Sequence, residues 1–440
     1  MKSSRQLTIV IKLGTSSIVD ENTHEPLLPI ITLIVETAVK LHKDGHKVII
    51  VSSGAIGVGL RRMDIEKRPK HLPRIQALAA VGQCRLMSLW DSLFAHLRQP
   101  VAQILLTRND IADRTQYLNA KNTLDELLSM GVIPIVNEND TLAVAEIKFG
   151  DNDTLSAITA AMVQADYLFL MTDVDCLYDE NPRINPDAKP IEVVEDIDLL
   201  EADVSTAGSS VGTGGMSTKI TAARLATSAG VTTVITRSSN PGNVADIVKY
   251  VQAQKGSQPA TPPSEVTPKS GEGRSPHSPS PLHFNDLSKP PLHTRFNPDP
   301  EPMRDRYFWI LHGLAPRGAI YIDEGAYNAL AGKAGLLPAG VVDVEGTFAQ
   351  QEAVRLIIVK RLPSTSTGAS GYEKMNPQPA EAGRAIVNYS AIEIARIKGI
   401  RSTEIQHVLG YADSEYVALR ENIAFSKRER NSRPVTPSPT

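Results

Sequence analysis

Apolar and polar positions alternate in blocks along the first part of the chain, and the blocks predict strands and helices in strict succession. Leu7 to Leu13 (LTIVIKL) reads as a buried strand interrupted by Lys12 and closed by the small-residue turn Gly14-Thr15-Ser16-Ser17. From Leu27 to His42 the residues Ile30, Ile31, Ile34, Ala38 and Leu41 recur at helical spacing, and Gly45 stands where a helix end is capped. Lys47 to Val51 is the next strand, and Ser52 to Gly59 opens the following helix. A long helix is predicted over Leu72 to Leu97, a strand over Val101 to Leu106, a helix over Thr115 to Met130 and a strand over Val132 to Val136. Helix Thr154 to Gln164 and strand Tyr167 to Met171 follow; then come a helix running from the Gly212 to Lys219 region through Ala229 and a strand over Val231 to Thr236. Such alternation predicts an α/β fold, an open αβα sandwich whose mostly parallel sheet is covered on both faces, spanning residues 1–252.

The pattern then breaks. Residues 253–303 hold 12 of the 30 prolines, many serines and almost no periodic apolar positions, and they read as a disordered Pro/Ser-rich linker. From Arg304 short apolar runs return with glycine punctuation: Phe308 to His312, Ala319 to Asp323, Gly340 to Val344 and Val354 to Lys360. These predict a small β-barrel-like module over 304–426, with a polar insertion at 363–383 and a flexible tail at 427–440.

Composition narrows the class without changing this picture. The 440 residues suffice for two or three domains, and 41% hydrophobic with 22% charged residues is ordinary for a globular protein. A net charge of −3 gives no footprint for nucleic acid over the whole protein. With only Cys84 and Cys176, neither a disulfide framework nor a cysteine zinc site is expected. No apolar run has the length of a membrane span, and the start of the chain leads directly into a strand, so a soluble cytoplasmic protein is expected.

The chemistry concentrates after the strand ending at Val136. The stretch VNENDTLAVAEIKFGDND places Asn137, Glu138, Asn139, Asp140, Asp151, Asn152 and Asp153 in two polar blocks, where open α/β sheets bind ligands. Amides and carboxylates in that place suit a small polar ligand carrying an ammonium group. Lys12 at a strand end is costly unless an anion meets it, and Lys219 lies in a second small-residue context. The P-loop, protein-kinase and HExxH signatures are missing, yet lysines, helix N-termini and aspartates form a sufficient kit for phosphoryl transfer with a magnesium ion. A carboxylate acceptor needs no general base, since it is already an anion at neutral pH.

Eight motifs carry a resemblance: VIKLGTS, VSSGAIGVG, LAAVGQ, LLTRND, NEND, AEIKFGDNDTLSA, LMTDVDCLY and GTGGMSTK. In this order and spacing the first 250 residues resemble the amino-acid kinase superfamily, and within it the glutamate 5-kinase family. RGAIYIDEGAYNAL, GLLPAGVVDVEGTF and EIQHVLGY make the segment from Arg304 similar to the PUA domain that many members carry. The resemblance implies ATP-dependent phosphorylation of the side-chain carboxylate of L-glutamate with Mg2+, the entry step to proline, with proline as an inhibitor and self-association through the kinase domains. It implies that Lys12, Lys219, Asp151 and Asp153 are catalytic, and that Ser53, Gly54, Ala55, Asp140 and Asn152 meet the amino acid. Lys12, Gly14, Thr172, Asp173 and the run Thr213, Gly214, Gly215, Met216, Ser217, Thr218 and Lys219 would meet the nucleotide. Asp110 and Glu146 would serve regulation by proline; no direct metal ligand is assigned. Two departures stand out: Cys176 where the family has glycine in D-x-x-G-L-Y, and Gln350-Gln351 in place of a glycine-containing turn. Another amino-acid or carbamate kinase of the same superfamily remains an alternative, as does an RNA-binding PUA protein with secondary kinase activity.

Overall fold

The computed structural model describes residues 5–143, 152–182, 184–200, 215–256, 289–361, 372–374 and 381–426. β1 (Thr8–Leu13) leads through a single helical turn, α1 (Thr15–Ile18), to α2 (Leu28–Lys43); β2 (Lys47–Ser52) is followed by α3 (Ala55–Arg62) and α4 (Leu72–His96). β3 (Val101–Leu106), α5 (Arg108–Ala112), α6 (Arg114–Ser129), β4 (Ile133–Glu138), α7 (Asn152–Met162) and β5 (Tyr167–Thr172) continue the alternation. Three two-residue strands, β6 (Leu177–Tyr178), β7 (Pro190–Ile191) and β8 (Val193–Val194), precede α8 (Met216–Ser228), β9 (Thr232–Arg237), α9 (Asn243–Gly256) and β10 (Thr294–Phe296). The main sheet runs β3-β4-β2-β1-β5-β9-β10-β8, and within it only the β9–β10 pair is antiparallel.

Strand alternation divides the core into two layers. Ile9, Ile11 and Leu13 of β1 pack with Ile31, Ile34 and Trp90 of α2 and α4. Val10 faces the other way, with Leu155, Ala157 and Ile158 of α7 and Ala222, Ala223 and Ala226 of α8. Lys12, two residues beyond Val10, therefore points into the layer built by α7 and α8. The predicted open αβα sandwich is the observed one.

The C-terminal unit has a separate core around Ile320, Ile322, Leu356, Tyr389 and Ile394. Its strands are β11 (Gly318–Asp323), β12 (Val341–Gly346), β13 (Ala353–Arg361), β14 (Tyr372–Lys374), β15 (Glu381–Ile386) and β16 (Ile423–Phe425). They form a six-stranded sheet in the order β12-β11-β13-β15-β16, with β14 beside β13, and only β11 and β13 run parallel. Helices α11 (Glu324–Ala331), α12 (Ala391–Ile397) and α13 (Ile405–Leu409) accompany it.

Three boundaries differ from the sequence reading. Phe308 to His312 is not a strand: α10 (Asp305–Phe308) runs into a π-helical turn over Trp309–Gly313. Phe308, Trp309, Ile310 and Leu311 are all buried, and a short run buried on every side has no periodicity to separate helix from strand. The stretch read as a linker from 253 contains the end of α9 and all of β10, while 257–288 lie outside the described residues. β10 escapes notice because three residues among prolines carry no pattern, yet Phe296 is fully buried and Thr294 is tied by two hydrogen bonds. Its hydroxyl accepts from the Leu177 N–H at 2.7 Å and donates to the Ile191 carbonyl at 2.6 Å. The polar insertion read at 363–383 includes β14 and the start of β15; its other residues up to 380, and the tail at 427–440, lie outside the described residues.

Candidate active site

At the carboxyl end of β1, Lys12 Nζ lies 2.5 Å from Asp153 Oδ1. Lys219 Nζ, in the first turn of α8, lies 3.5 Å from Asp153 Oδ2, which also accepts a hydrogen bond from the Thr218 hydroxyl at 2.7 Å. All three charged groups are buried, Asp153 completely. Burial raises the Asp153 carboxyl, but Lys12 and then Lys219 outweigh it and hold the group down at about 2. Lys219 is pushed below its ordinary value, by burial first and by Lys12 second. Among the described residues one carboxylate, Asp153, is paired with both ammonium groups. Asp173 acts on Lys219 only as the weakest of its influences, which leaves the buried trio with a surplus of positive charge beside the N-terminus of a thirteen-residue helix. An anion with several oxygens resolves that surplus, and phosphate has the right chemistry.

The second part of the site lies across the ends of β2 and β4. Ser53 follows β2, and Gly54, with φ of 102°, turns the chain into α3; a side chain there would take on a strained backbone and press within 2.8 Å of Ile18. Asn152, the first residue of α7, donates through Nδ2 to Ser53 Oγ at 2.8 Å and to Asn137 Oδ1 at 2.9 Å. The Asn152 carbonyl oxygen Oδ1 is buried and has no hydrogen-bond partner among the described residues. Asn137, at the end of β4, accepts a further hydrogen bond from the Glu138 N–H at 2.9 Å and donates to Gln83 Oε1 on α4 at 2.8 Å. Gln83 was not assigned a role from sequence, although it closes LAAVGQ. Nothing in a helical repeat marks a half-buried glutamine as part of a site on another element.

The remaining sequence candidates that the structure describes lie on several elements. Gly14 lies over Lys12, whose Nζ would stand 3.6 Å from a Cβ added there. Gly215, Met216, Ser217 and Thr218 form the start of α8, where the Gly215 N–H donates to the Thr218 hydroxyl at 3.0 Å. Thr172 ends β5, and its hydroxyl donates to Asp173 at 3.1 Å. Ala55 begins α3 and Asp140 lies in the turn after β4. Asp110 sits in α5 as one half of a capping box: its carboxylate accepts from the Thr107 N–H at 2.6 Å and from the Thr107 hydroxyl at 2.8 Å. Glu146, Asp151, Thr213 and Gly214 lie outside the described residues.

Among the described residues no group of three or more His, Cys, Asp or Glu comes together to hold a metal. Asp153 is already engaged with Lys12, Lys219 and Thr218, so these residues do not fit a direct magnesium shell. Of the two departures from the family motifs, Gln351 adopts φ of 64°, the left-handed conformation that glycine takes without cost. Cys176 is fully buried with φ outside that region, and burial raises its thiol.

Comparison with known proteins gives the family. The amino acid kinase family profile matches residues 7–237, and the PUA domain profile matches residues 318–409. A probable glutamate 5-kinase of Schizosaccharomyces pombe is 52% identical over 95% of this chain and 93% of its own length. An uncharacterized protein of Saccharomyces cerevisiae is 50% identical over 96% of this chain and 99% of its own length. A glutamate 5-kinase of Cyanothece sp. is 44% identical over 95% of this chain and 99% of its own length. No helix among the described residues is long and apolar enough to cross a membrane. Sharing both domains and nearly its whole length with these relatives, the chain belongs to the amino acid kinase family, among its glutamate 5-kinases with a C-terminal PUA domain.

Proposed function

We propose that the chain transfers the γ-phosphoryl group of ATP to the side-chain carboxylate of L-glutamate, giving ADP and γ-glutamyl phosphate. The observation that supports this reading most is the buried surplus of positive charge at Lys12, Asp153 and Lys219. Phosphoryl transfer depends on positioning and on charge around the migrating group. Lys12 and Lys219 neutralise the oxygens of that group, and Asp153 keeps both ammonium groups aimed while its low pKa keeps it ionised throughout the neutral range. Glutamate's carboxyl group, with a pKa of about 4.3, attacks as an anion and needs no base. The nucleotide lies along Gly14, Thr172, Asp173 and the segment 213–219; the amino acid lies against Ser53, the Gly54–Ala55 turn, Asp140 and Asn152. Asp151 assists the lysines. Magnesium accompanies ATP.

The product is the first intermediate of proline synthesis in the cytosol, made by an oligomer that associates through its kinase domains. Proline shares the α-carboxylate and cationic nitrogen of glutamate and lacks a second carboxylate, so it occupies the same site without accepting phosphate. Asp110 and Glu146 shape the loops around that site. An ADP-release assay with glutamate, aspartate, carbamate and N-acetylglutamate tests the reading, with turnover expected for glutamate. Aspartate is one methylene short, and a misplacement of about 1 Å is worth on the order of 10²-fold in rate. Comparable kcat/KM for aspartate, or carbamate as the better acceptor, counts against it. Inhibition by proline is expected to weaken as glutamate rises; inhibition that saturating glutamate leaves unchanged places proline elsewhere.

A further inference from the structure

The amide network behind Ser53 has a direction, and the direction is set from outside the site. The Glu138 N–H donates to Asn137 Oδ1, which identifies that end of the Asn137 side chain as oxygen. The other end, Nδ2, therefore faces Gln83 and donates to its Oε1 at 2.8 Å. With Asn137 so oriented, the atom of Asn152 that meets Asn137 Oδ1 has to be nitrogen, and the second hydrogen of that nitrogen goes to Ser53 Oγ. Both donors of the Asn152 amide are then committed, and its carbonyl oxygen is left buried without a partner among the described residues. A buried acceptor without a partner is a deficit that a ligand donor removes. Ser53 Oγ accepts from Asn152, which leaves the Ser53 hydroxyl proton to be donated. One acceptor and one donor side by side match an α-ammonium and an α-carboxylate.

We propose that Gln83 is a positioning residue that makes this enzyme select an acceptor substrate bearing an α-amino group, by fixing Asn137 and through it the Asn152 carbonyl. The inference rests on the reading of Asn152 as a contact of the amino-acid substrate. Gln83 itself stays one residue removed from the ligand. Asn137 is only 2% exposed, so without Gln83 its Nδ2 is a buried donor with nothing to meet. The side chain then gains by swinging toward another partner for that donor, which draws Oδ1 away from the Asn152 amide it now holds. Asn152, no longer held by Asn137, loses the fixed aim of its carbonyl oxygen toward the ligand ammonium.

The test is the ratio of kcat/KM for glutamate to that for glutarate, which has the same dicarboxylate skeleton without the amino group. In the unsubstituted full-length protein the ratio is expected to be on the order of 10³ or more, since a site built to hydrogen-bond a group rejects the analogue lacking it. Gln83→Leu is expected to compress the ratio at least about tenfold, through a higher KM for glutamate with the KM for ATP unchanged. Gln83→Glu keeps an acceptor toward Asn137 and is expected to restore the ratio. Gln83→Met supplies the same loss of acceptor should the leucine variant fail to fold. A general packing defect lowers both substrates together, so an unchanged ratio in a folded Leu or Met variant overturns the role of Gln83. A Glu variant as poor as Leu does the same. Absence of glutamate-dependent turnover in the unsubstituted protein overturns the functional reading beneath it, and that result is distinguishable because it appears before any substitution is made.

Discussion

A lysine at the end of an apolar strand announces itself, and Lys12 was legible in the sequence as a charge in search of an anion. Its partner was legible too, because Asp153 and Lys219 stand in polar motifs that the resemblance assigns to the same chemistry. Their mutual geometry was not, since it depends on β1, α7 and α8 meeting across one face of the sheet. That geometry alters what removal of a lysine does. Lys12→Ala is expected to lower kcat by on the order of 10²–10³, the loss associated with one preorganised donor. It also leaves Asp153 buried with Lys219 at 3.5 Å as its remaining cation, so the melting temperature falls as well. A folded Lys12→Ala protein with near-normal kcat contradicts the assignment. The pH dependence has a definite sign. Asp153 is held at about 2 in the fold, against about 3.9 in an unfolded chain. Its contribution to stability is present above pH of about 4 and is lost as pH falls from there toward 2. Asp153→Asn is expected to remove that acid limb from the unfolding curve, and a denaturation series from pH 7 to 2 measures it.

At the scale of elements, the strands and helices that the apolar periodicity predicts in the kinase portion agree with the observed ones to within a few residues, because those are long enough to show their period. How tightly two helices approach is invisible to periodicity. In α4, a Cβ placed on Gly82 would fall 1.7 Å from the Ala55 carbonyl oxygen and 2.5 Å from the Gly59 nitrogen. The backbones of α3 and α4 are therefore in direct contact, which only glycine permits. This contact holds the Gly54–Ala55 turn beside the helix that carries Gln83. Gly82→Ala has to push the helices apart, an overpacking of about 1–3 kcal/mol. The displaced turn carries Ser53 with it, so the KM for glutamate is expected to rise while the KM for ATP, held from β1, β5 and α8, changes little. Equal increases in both constants indicate general loosening and contradict this reading. The Gln83–Asn137 hydrogen bond was beyond sequence reasoning for the same reason: neither residue breaks its own pattern, and only the packed pair reveals a purpose.

Across the whole molecule, the proline count hid a structural connection. The chain pairs with the kinase sheet again as β10 and then enters the core layer of α7 and α8 with Phe296, Met303, Phe308, Trp309, Ile310 and Leu311. Asp305 accepts from Arg114 at 2.8 Å and from the Tyr117 hydroxyl at 2.7 Å, and the Trp309 indole N–H donates to the Ile111 carbonyl at 2.9 Å. On its other side the same segment meets the C-terminal unit, where Arg306 donates to Asn422 and Arg384 donates to the Leu314 carbonyl. Residues 294–314 therefore belong to the kinase core as much as to the junction, and a boundary at Gln252 cuts through a folded unit. Loss of a single buried Phe or Trp side chain costs about 3–5 kcal/mol, a large share of the 5–15 kcal/mol that holds a typical domain together. A chain ending at Gln252 lacks Phe296, Phe308 and Trp309 together, with one strand of the sheet. It is expected to aggregate or to melt far below the full-length protein, whereas a chain ending after Leu314 retains these residues of the α7 and α8 layer and a cooperative transition. Calorimetry of the two truncations beside full-length Trp309→Ala separates the contributions. The tryptophan variant is expected to melt lower yet stay folded. A 252-residue chain that melts as high and as cooperatively as the whole protein shows instead that β10 and the junction segment only rest on a kinase unit already complete without them.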